Sequence, residues 1–226
     1  MVMPKKEILR VSGDIKATYV KLSKVYATFE GGFEKKLRQR GLGLLDVQEG
    51  EAVLEIGFGT GYSLVEIARC VGATGKAYGI DVTPEMVELA KKRLEKEGLA
   101  ERVELCEGDA REMRYENKWF DTVYMAAALE LFDTPDIPRV LAEIKRVLKP
   151  AGRLGVTSMP KEGHEDSIIL RFYEWIHRAF PRYASCRPIY VEDSVSGAGF
   201  EIIKAEEMML GGLFPMKIVM ARSVSS

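Results

Sequence analysis

Residues 53–61 read Val-Leu-Glu-Ile-Gly-Phe-Gly-Thr-Gly, an apolar run carrying the acid Glu55 that passes into a loop with Gly57, Gly59 and Gly61 at alternate positions. Such a loop turns sharply and lets a ligand approach bare backbone, which suits a nucleotide-like molecule. The spacing is not the GxGxxG of a dinucleotide site, because Tyr62 stands where the last glycine would complete it. Asp81 follows Gly61 by 20 residues (81 − 61), the interval at which an acid accepts hydrogen bonds from ribose hydroxyls. A third signal, Gly108-Asp109-Ala110, offers a carboxylate for the exocyclic amine of a base and a small residue that leaves room for its ring. Each signal has a plainer reading: a tight turn for the glycines, a helix cap for Asp109.

The elements that must position these groups follow from periodicity. From Glu51 onward, short apolar runs alternate with helical periods, as βαβ units of a parallel sheet require. Strands are expected over residues 52–56, 77–80, 103–106, 120–125, 153–157, 200–205 and 216–221, with helices over 61–71, 84–97, 135–149 and 166–180. Thr83, Pro84 and Glu85 form a three-part helix start, and Pro150 ends the fourth-strand-to-fifth-strand helix. Residues 7–45 read as two helices broken at Gly31-Gly32. In open α/β sheets ligands bind beyond the carboxyl ends of the strands, where all three signals fall.

Taken together, Glu55-x-Gly57-x-Gly59-x-Gly61, Asp81-Val82, Gly108-Asp109-Ala110, Phe120-Asp121 and residues 148–154, Leu-Lys-Pro-Ala-Gly-Arg-Leu, resemble the class I S-adenosylmethionine-dependent methyltransferases over residues 50–158. More loosely, the chain is similar to the branch that holds the ubiquinone and menaquinone C-methyltransferases. Ala151 departs from the family's usual glycine, and residues 125–128, Met-Ala-Ala-Ala, lack the Asn-Pro-Pro-aromatic motif of enzymes that methylate nucleic-acid amines.

The resemblance implies a doubly wound, Rossmann-like α/β fold with a mostly parallel seven-stranded sheet whose last strand is antiparallel. It implies an N-terminal helical cap over residues 1–45, a cofactor-binding domain over 46–226, and a substrate-side insertion over 160–195. The cofactor would be S-adenosylmethionine. Gly57, Gly59 and Gly61 would lie against its methionine and ribose, Glu55 would organise the loop and the methionine amine, and Asp81 would hold the ribose hydroxyls. Val82 would cover one adenine face, Asp109 and Ala110 would read the adenine edge, and the backbone at Met125 and Ala126 would meet the methionine tail. Tyr26 would close over the cofactor, although Ala27 replaces the aspartate that usually follows.

For the acceptor the residues say less. Glu130 is either a substrate-facing carboxylate or a helix-start residue; His164 lies in a polar stretch as a base or a solvated side chain, and His177 reads as a packed or surface histidine. Ile168, Ile169, Leu170, Phe172, Tyr173, Trp175, Ile176 and Phe180 make a helix apolar around most of its girth. That excess implies either a core or homodimer contact, or one wall of a pocket for an apolar acceptor such as a quinone precursor or lipid. Arg171, Arg178, Arg182 and Arg187 flank it, to meet an anionic head group or simply water.

Bulk properties set outer limits. With 33 basic and 34 acidic residues in 226, the net charge of −1 gives no general affinity for nucleic acid. Cys70, Cys106 and Cys186 lie far apart, which suits a reducing cytoplasm, and with two histidines they form no metal-ligand set. No run is long and apolar enough to span a membrane, and Met1 to Lys6 precede no apolar stretch of the secretory kind. An NAD-linked oxidoreductase and a non-catalytic cofactor-binding module remain alternatives.

Overall fold

The computed structural model describes residues 32–179 and 187–224. Its strands are β1 (Ala52–Ile56), β2 (Lys76–Asp81), β3 (Val103–Glu107), β4 (Phe120–Ala126), β5 (Leu148–Ser158), β6 (Phe200–Leu210) and β7 (Phe214–Ser223), joined in one sheet of order β3-β2-β1-β4-β5-β7-β6. All pairings are parallel except those of β7, which runs against both β5 and β6. Strand order reverses between β1 and β4, and this is where a crevice opens beyond the strand ends.

Helices α1 (Gly32–Leu45), α2 (Tyr62–Cys70), α3 (Pro84–Lys96), α4 (Ile137–Val147), α5 (Ile168–Ala179) and α6 (Val191–Gly197) flank the sheet. Strand alternation divides the core. Leu54 and Ile56 of β1 pack with Val140, Leu141 and Ile144 of α4 and Val195 of α6, while Val53 packs with Leu45 of α1, Leu64 and Ile67 of α2 and Ala90 of α3. Both faces are therefore covered, as a parallel sheet requires. The last residue of the expected cap, Leu45, is fully buried in this second cluster, so α1 is a layer of the sheet packing.

α1 sits unusually close. A Cβ at Gly41 would lie 2.6 Å from the Tyr124 hydroxyl oxygen and 3.2 Å from Thr157 Oγ1, so glycine there is what lets the helix settle over β4 and β5.

Several boundaries differ from those expected. α4 ends at Val147 and β5 starts at Leu148, five residues early, with a register irregularity between Phe120 and Thr122 of β4. Pro150, expected to end the helix, is already the third residue of the strand, and the helix stops three residues before it. Ala151 there has φ 59°, a left-handed conformation that glycine adopts more easily than alanine. β6 and β7 extend beyond their apolar cores into a long hairpin turned by Gly211 and Gly212, because charged residues such as Glu206 and Lys217 are held there by ion pairs with Arg40 and Glu192. α6 gave no sequence signal: it has seven residues and only Val191 and Val195 buried. The first of the two N-terminal helices, Tyr26, Phe180, Arg182, Cys186 and most of the expected 1–45 cap lie outside the described residues.

Candidate functional site

The ends of β1, β2, β4 and β5 open onto a cavity of about 730 Å³, within the range of small-molecule and cofactor sites. Its first half is built by the loops after β1, β2 and β3. Gly57, Gly59, Asp81, Val82, Asp109 and Ala110 all line it, with Glu55 at its floor. The loop is held in place by main-chain bonds: Gly57 N–H donates to Ile80 O at 2.8 Å, and Gly61 N–H to Phe58 O at 3.0 Å. All three glycines have positive φ, between 53° and 81°, so a side chain would strain each. Their surroundings differ. A Cβ at Gly57 would lie 2.7 Å from that of Ala128, whereas Gly59 faces open space.

Gly61 corrects its expected role. It is not among the cavity-lining residues; a Cβ there would lie 2.8 Å from that of Ala90, so this glycine lets the start of α2 press against α3.

Asp81, nearly buried, accepts from the main-chain N–H of Gly59 at 3.0 Å and of Thr83 at 2.9 Å, one on each oxygen. Burial raises its pKa, against the opposing effects of these N–H groups, the Thr83 hydroxyl and the Val82 N–H. The carboxylate lines the cavity, where a ligand hydroxyl can add to these donors. Asp109 is gripped by Arg111, whose Nη2 donates at 2.6 Å and whose Nη1 donates to Asp136 at 2.7 Å; the guanidinium holds the Asp109 carboxyl below its ordinary value. Val82 is partly exposed above the cavity and Ala110 is buried beside it.

Glu55 is the most anomalous group. It is 2% exposed, its Oε2 has no hydrogen-bond partner, and burial pushes its pKa up to about 8 against the opposing effects of Ser63 and Arg38. A buried orphan carboxyl at the floor of a cavity is completed by a cation or a hydrogen-bond donor from the ligand.

The second half of the cavity is apolar and comes from distant segments. Leu37 of α1, Leu131 and Phe132 after β4, Met159 after β5, Tyr173 of α5, and Leu210 and Met216 of the β6–β7 hairpin all face it. Between the halves lie Ala126, Ala127 and Ala128, then Glu130 on the 3₁₀ turn Leu129–Leu131. Ala127 has φ 50°, and its N–H donates to Thr157 O at 2.8 Å, which holds this strained turn against the end of β5. Glu130 is 1% exposed, accepts from Ser158 Oγ at 2.9 Å, and is raised by burial to about 7. It lies within the first turn of this 3₁₀ element and lines the cavity.

The side chain of Met125 is fully buried in the sheet core on the α4 face, so of this pair only the backbone of Met125 and the side chain of Ala126 are at the strand end that meets the cavity. Two further expectations are corrected. His164 is outside the lining and pairs with Glu207 at 2.9 Å on the hairpin. Phe172 points outward, 59% exposed and stacked on Trp175 with ring centroids 5.8 Å apart; its neighbour Tyr173 takes the wall position. A helix of this pitch sends adjacent residues about 100° apart, so only part of the apolar girth of α5 reaches the cavity. Sequence reading missed Leu37, Arg38, Tyr62, Met159, Leu210 and Met216 as site residues, since none of them carries a local signal. Tyr62 is a partial exception: the residue that breaks the dinucleotide spacing opens α2, lines the cavity and stacks beneath the Arg93 guanidinium, 3.3 Å from the ring centre.

Residues 53–152 match the family described as a methyltransferase domain. Residues 53–152 are thus similar to a methyltransferase domain, and the sheet that holds them has the fold of the solved methyltransferases it superposes on. Over 166 residues it is 32% identical to the demethylmenaquinone methyltransferase of Lactobacillus johnsonii, an alignment that takes in 73% of this chain and 64% of that protein. It thus spans less than two thirds of this relative, and about half of the similar protein from Bacillus mycoides (35% identity; 53% of this chain, 49% of the relative). Among solved structures, a methyltransferase of Aquifex aeolicus described as S-adenosylmethionine-dependent superposes with a TM-score of 0.67 over 94% of this chain and all of that one, at 24% identity. The geranyl diphosphate C-methyltransferase of Streptomyces coelicolor, solved with Mg²⁺, geranyl diphosphate and S-adenosyl-L-homocysteine, gives 0.69 over 84% of this chain and 81% of that one, at 12% identity. The matched region holds every residue of the polar half of the cavity. Most of the apolar half, from Met159 to Met216, and Leu37 lie outside it.

Among the described residues, no helix is long and apolar enough to cross a membrane, and no group of three or more His, Cys, Asp or Glu is placed to hold a metal ion.

Proposed function

We propose that this chain transfers a methyl group from S-adenosylmethionine to a small apolar acceptor. One observation carries the reading: a single cavity joins a polar half, whose loops offer a buried acid pair and bare glycine backbone, to an apolar half large enough for a second molecule. The residues fit the cofactor. Asp81 offers its carboxylate to ribose hydroxyls, the open space at Gly59 accommodates the sugar and chain, and the orphan oxygen of Glu55 meets the methionine ammonium. Val82 and Ala110 flank the space for the adenine, with Asp109 at its edge. Tyr26 stays a proposal, as does the division into an N-terminal cap and a substrate-side insertion.

When bound, the cofactor supplies a methyl group already activated by a positive sulfur. The chain's own task is to hold it in line with the acceptor and to exclude water, and orientation of this kind is worth up to roughly 7 to 11 kcal/mol of barrier. Ala126 to Ala128 are small enough to leave the methyl path clear. Leu131, Phe132, Met159 and Tyr173 shield it. The name of the Lactobacillus johnsonii relative supports a quinone precursor as one acceptor to try; the cytoplasm is the expected compartment.

Calorimetry with S-adenosylhomocysteine and with NAD tests the cofactor half: binding of the first alone is expected, and binding of NAD alone overturns the reading. A panel of hydrophobic and charged acceptors with radiolabelled S-adenosylmethionine tests the other half. Label should enter the apolar members, whereas a preference for small charged ones excludes a greasy pocket. Tight binding without turnover on any member marks a non-catalytic module.

A further inference from the structure

We propose that helix α5 and the tip of the β6–β7 hairpin dock this chain on an anionic phospholipid surface. Elsewhere the sheet and its helices bury their apolar side chains; this corner turns them outward. Ile168, Phe172 and Trp175 follow one another at intervals of four and three residues, so they form one stripe along α5, and all three are exposed, Ile168 to 83%. Ile169 widens the stripe on one side. The inward residues of the same helix, Leu170 and Tyr173, pack into a small cluster with Met159, Met216 and Phe214. That inner side anchors the helix, and the outer stripe faces water.

The hairpin continues the same surface. The Tyr173 ring meets Phe214 edge to face, which sets the hairpin tip beside the helix. Met209 and Leu213 are exposed there, and residues 208–216 contain no charged side chain. Tyr173 and Leu210 line the cavity, and each adjoins an exposed apolar residue in sequence, Phe172 and Met209. The patch therefore borders the apolar half of the cavity.

Three features select lipid as the occupant. A stable dimer draws about 20 to 30 residues from each side, and this patch supplies six; side chains that enter a bilayer gain by transfer one at a time and need no partner of matched shape. An apolar stripe with aromatic rings on one helix face is the build of an interfacial helix, and Phe172 and Trp175 stack within it. The charge beside the stripe has the complementary sign. Glu174 is held by Lys161 at 2.7 Å, whereas Arg171, exposed and next to Phe172, makes no ion pair among the described residues and meets a lipid phosphate. The exposed acids Glu165 and Asp166 precede the helix and mark where insertion stops. The docking stands on this surface alone. Its use, passage of an apolar acceptor from lipid into the cavity without crossing water, rests on the methyltransferase reading.

The test is flotation of the full chain with vesicles of phosphatidylcholine containing about one third phosphatidylglycerol, at about 0.15 M salt. Saturable binding is expected. Phe172→Glu should weaken it at least about tenfold, through loss of an inserted aromatic ring and gain of a charge. Arg171→Ala should weaken it about fivefold and leave any binding to pure phosphatidylcholine unchanged. Trp119→Ser removes an exposed tryptophan from the start of β4, at the opposite end of the sheet from the cavity; it should bind like the wild type, and the emission of Trp175, its remaining tryptophan, should shift to the blue. The proposal is overturned by a full chain that ignores vesicles, as when residues 1–31 or a second copy cover the patch, and equally by the same loss of binding in W119S as in F172E. Because Phe172 is exposed, F172E should keep the wild-type melting temperature; if it does not, Ile168→Glu replaces it, and unchanged binding by I168E counts against the patch. Calorimetry with S-adenosylhomocysteine separates the two claims. Vesicle binding without cofactor binding keeps the docking and removes the methyltransferase reading, and the reverse result keeps that reading and removes the docking.

Discussion

At one end of the cavity, Glu55, Asp81 and Asp109 stand at or just beyond the ends of three adjacent strands, β1, β2 and β3, each within a few residues of a glycine. At the other end, Leu37, Met159, Tyr173, Leu210 and Met216 are gathered from α1, the segment after β5, α5 and the β6–β7 hairpin, more than 170 residues apart at the extremes. The first end is made of backbone turns and acids that chemistry makes hard to replace. The second is made of interchangeable apolar side chains whose only requirement is to be in the right place. An enzyme assembled this way can keep one cofactor and change its acceptor.

If the polar end works as described, Asp81→Ala gives the largest effect. Two hydroxyl bonds to a charged acceptor are worth about 1.5 to 3 kcal/mol each, so affinity for S-adenosylhomocysteine should fall by at least about a hundredfold in calorimetry. Thermal unfolding of the variant shows whether the loop alone has failed. A drop below about fivefold would mean that the ribose lies elsewhere.

Glu55 sharpens the same end through pH. Its folded pKa of about 8 lies above the ordinary 4.5, so the stability it contributes is full below about pH 4.5 and is lost as pH rises to about 8. Binding of a cationic ligand runs the opposite way, because only the ionised carboxyl attracts it. Affinity for S-adenosylmethionine should therefore tighten by roughly fiftyfold between pH 6 and 8. Glu55→Gln should flatten this dependence and also remove the loss of melting temperature over that interval. Equal slopes in the two proteins would show that Glu55 does not face the ligand's charge.

The apolar end is broken by truncation. Tyr173→Ala and Leu210→Ala should each lower kcat/KM for an apolar acceptor by roughly tenfold, since a packed apolar side chain is worth about 1.5 to 3 kcal/mol when fully buried. Affinity for S-adenosylhomocysteine should not move. A shift in cofactor affinity with unchanged acceptor kinetics would dissolve the division between the two ends. His164→Ala is the smallest change: the histidine pairs with Glu207 away from the cavity, so kcat should stay within about threefold.

The same contrast explains what could be read before the fold was known. Strand identity at the β1–β4 centre was legible because parallel strands buried on both faces demand continuous apolar runs, and because the turns between them demand glycine and acid. Gly61 was legible as a required glycine but not in its reason, since the spacing says nothing of Ala90 pressing against it. Met125 and Ala126 were legible only as strand-end backbone, because one strand sends neighbouring side chains to opposite faces and the loop signal does not tell which face closes the cavity. Phe172 and Tyr173 are adjacent aromatic residues on one helix; only the packing of Tyr173 on Phe214, with ring centroids 5.8 Å apart, decides which of them turns inward. The length of the β6–β7 hairpin was invisible for a related reason: its outer turns are held by ladder bonds and surface charge, not by an apolar pattern.

That hairpin acts as an adjustable rim. Leu210 and Phe214 pair across its tip beside Gly211 and Gly212, and β6 forms the sheet's free border, so length can be added or removed there without disturbing any other strand. Two residues inserted in each arm would raise the rim by about 6.6 Å and leave every existing side chain on its present face. One residue in each arm would gain half the height and reverse the pattern beyond the insertion, presenting charge where oil is wanted. Chains that differ only in the span between Leu210 and Phe214 should therefore sort by the size of molecule they admit, in steps of two.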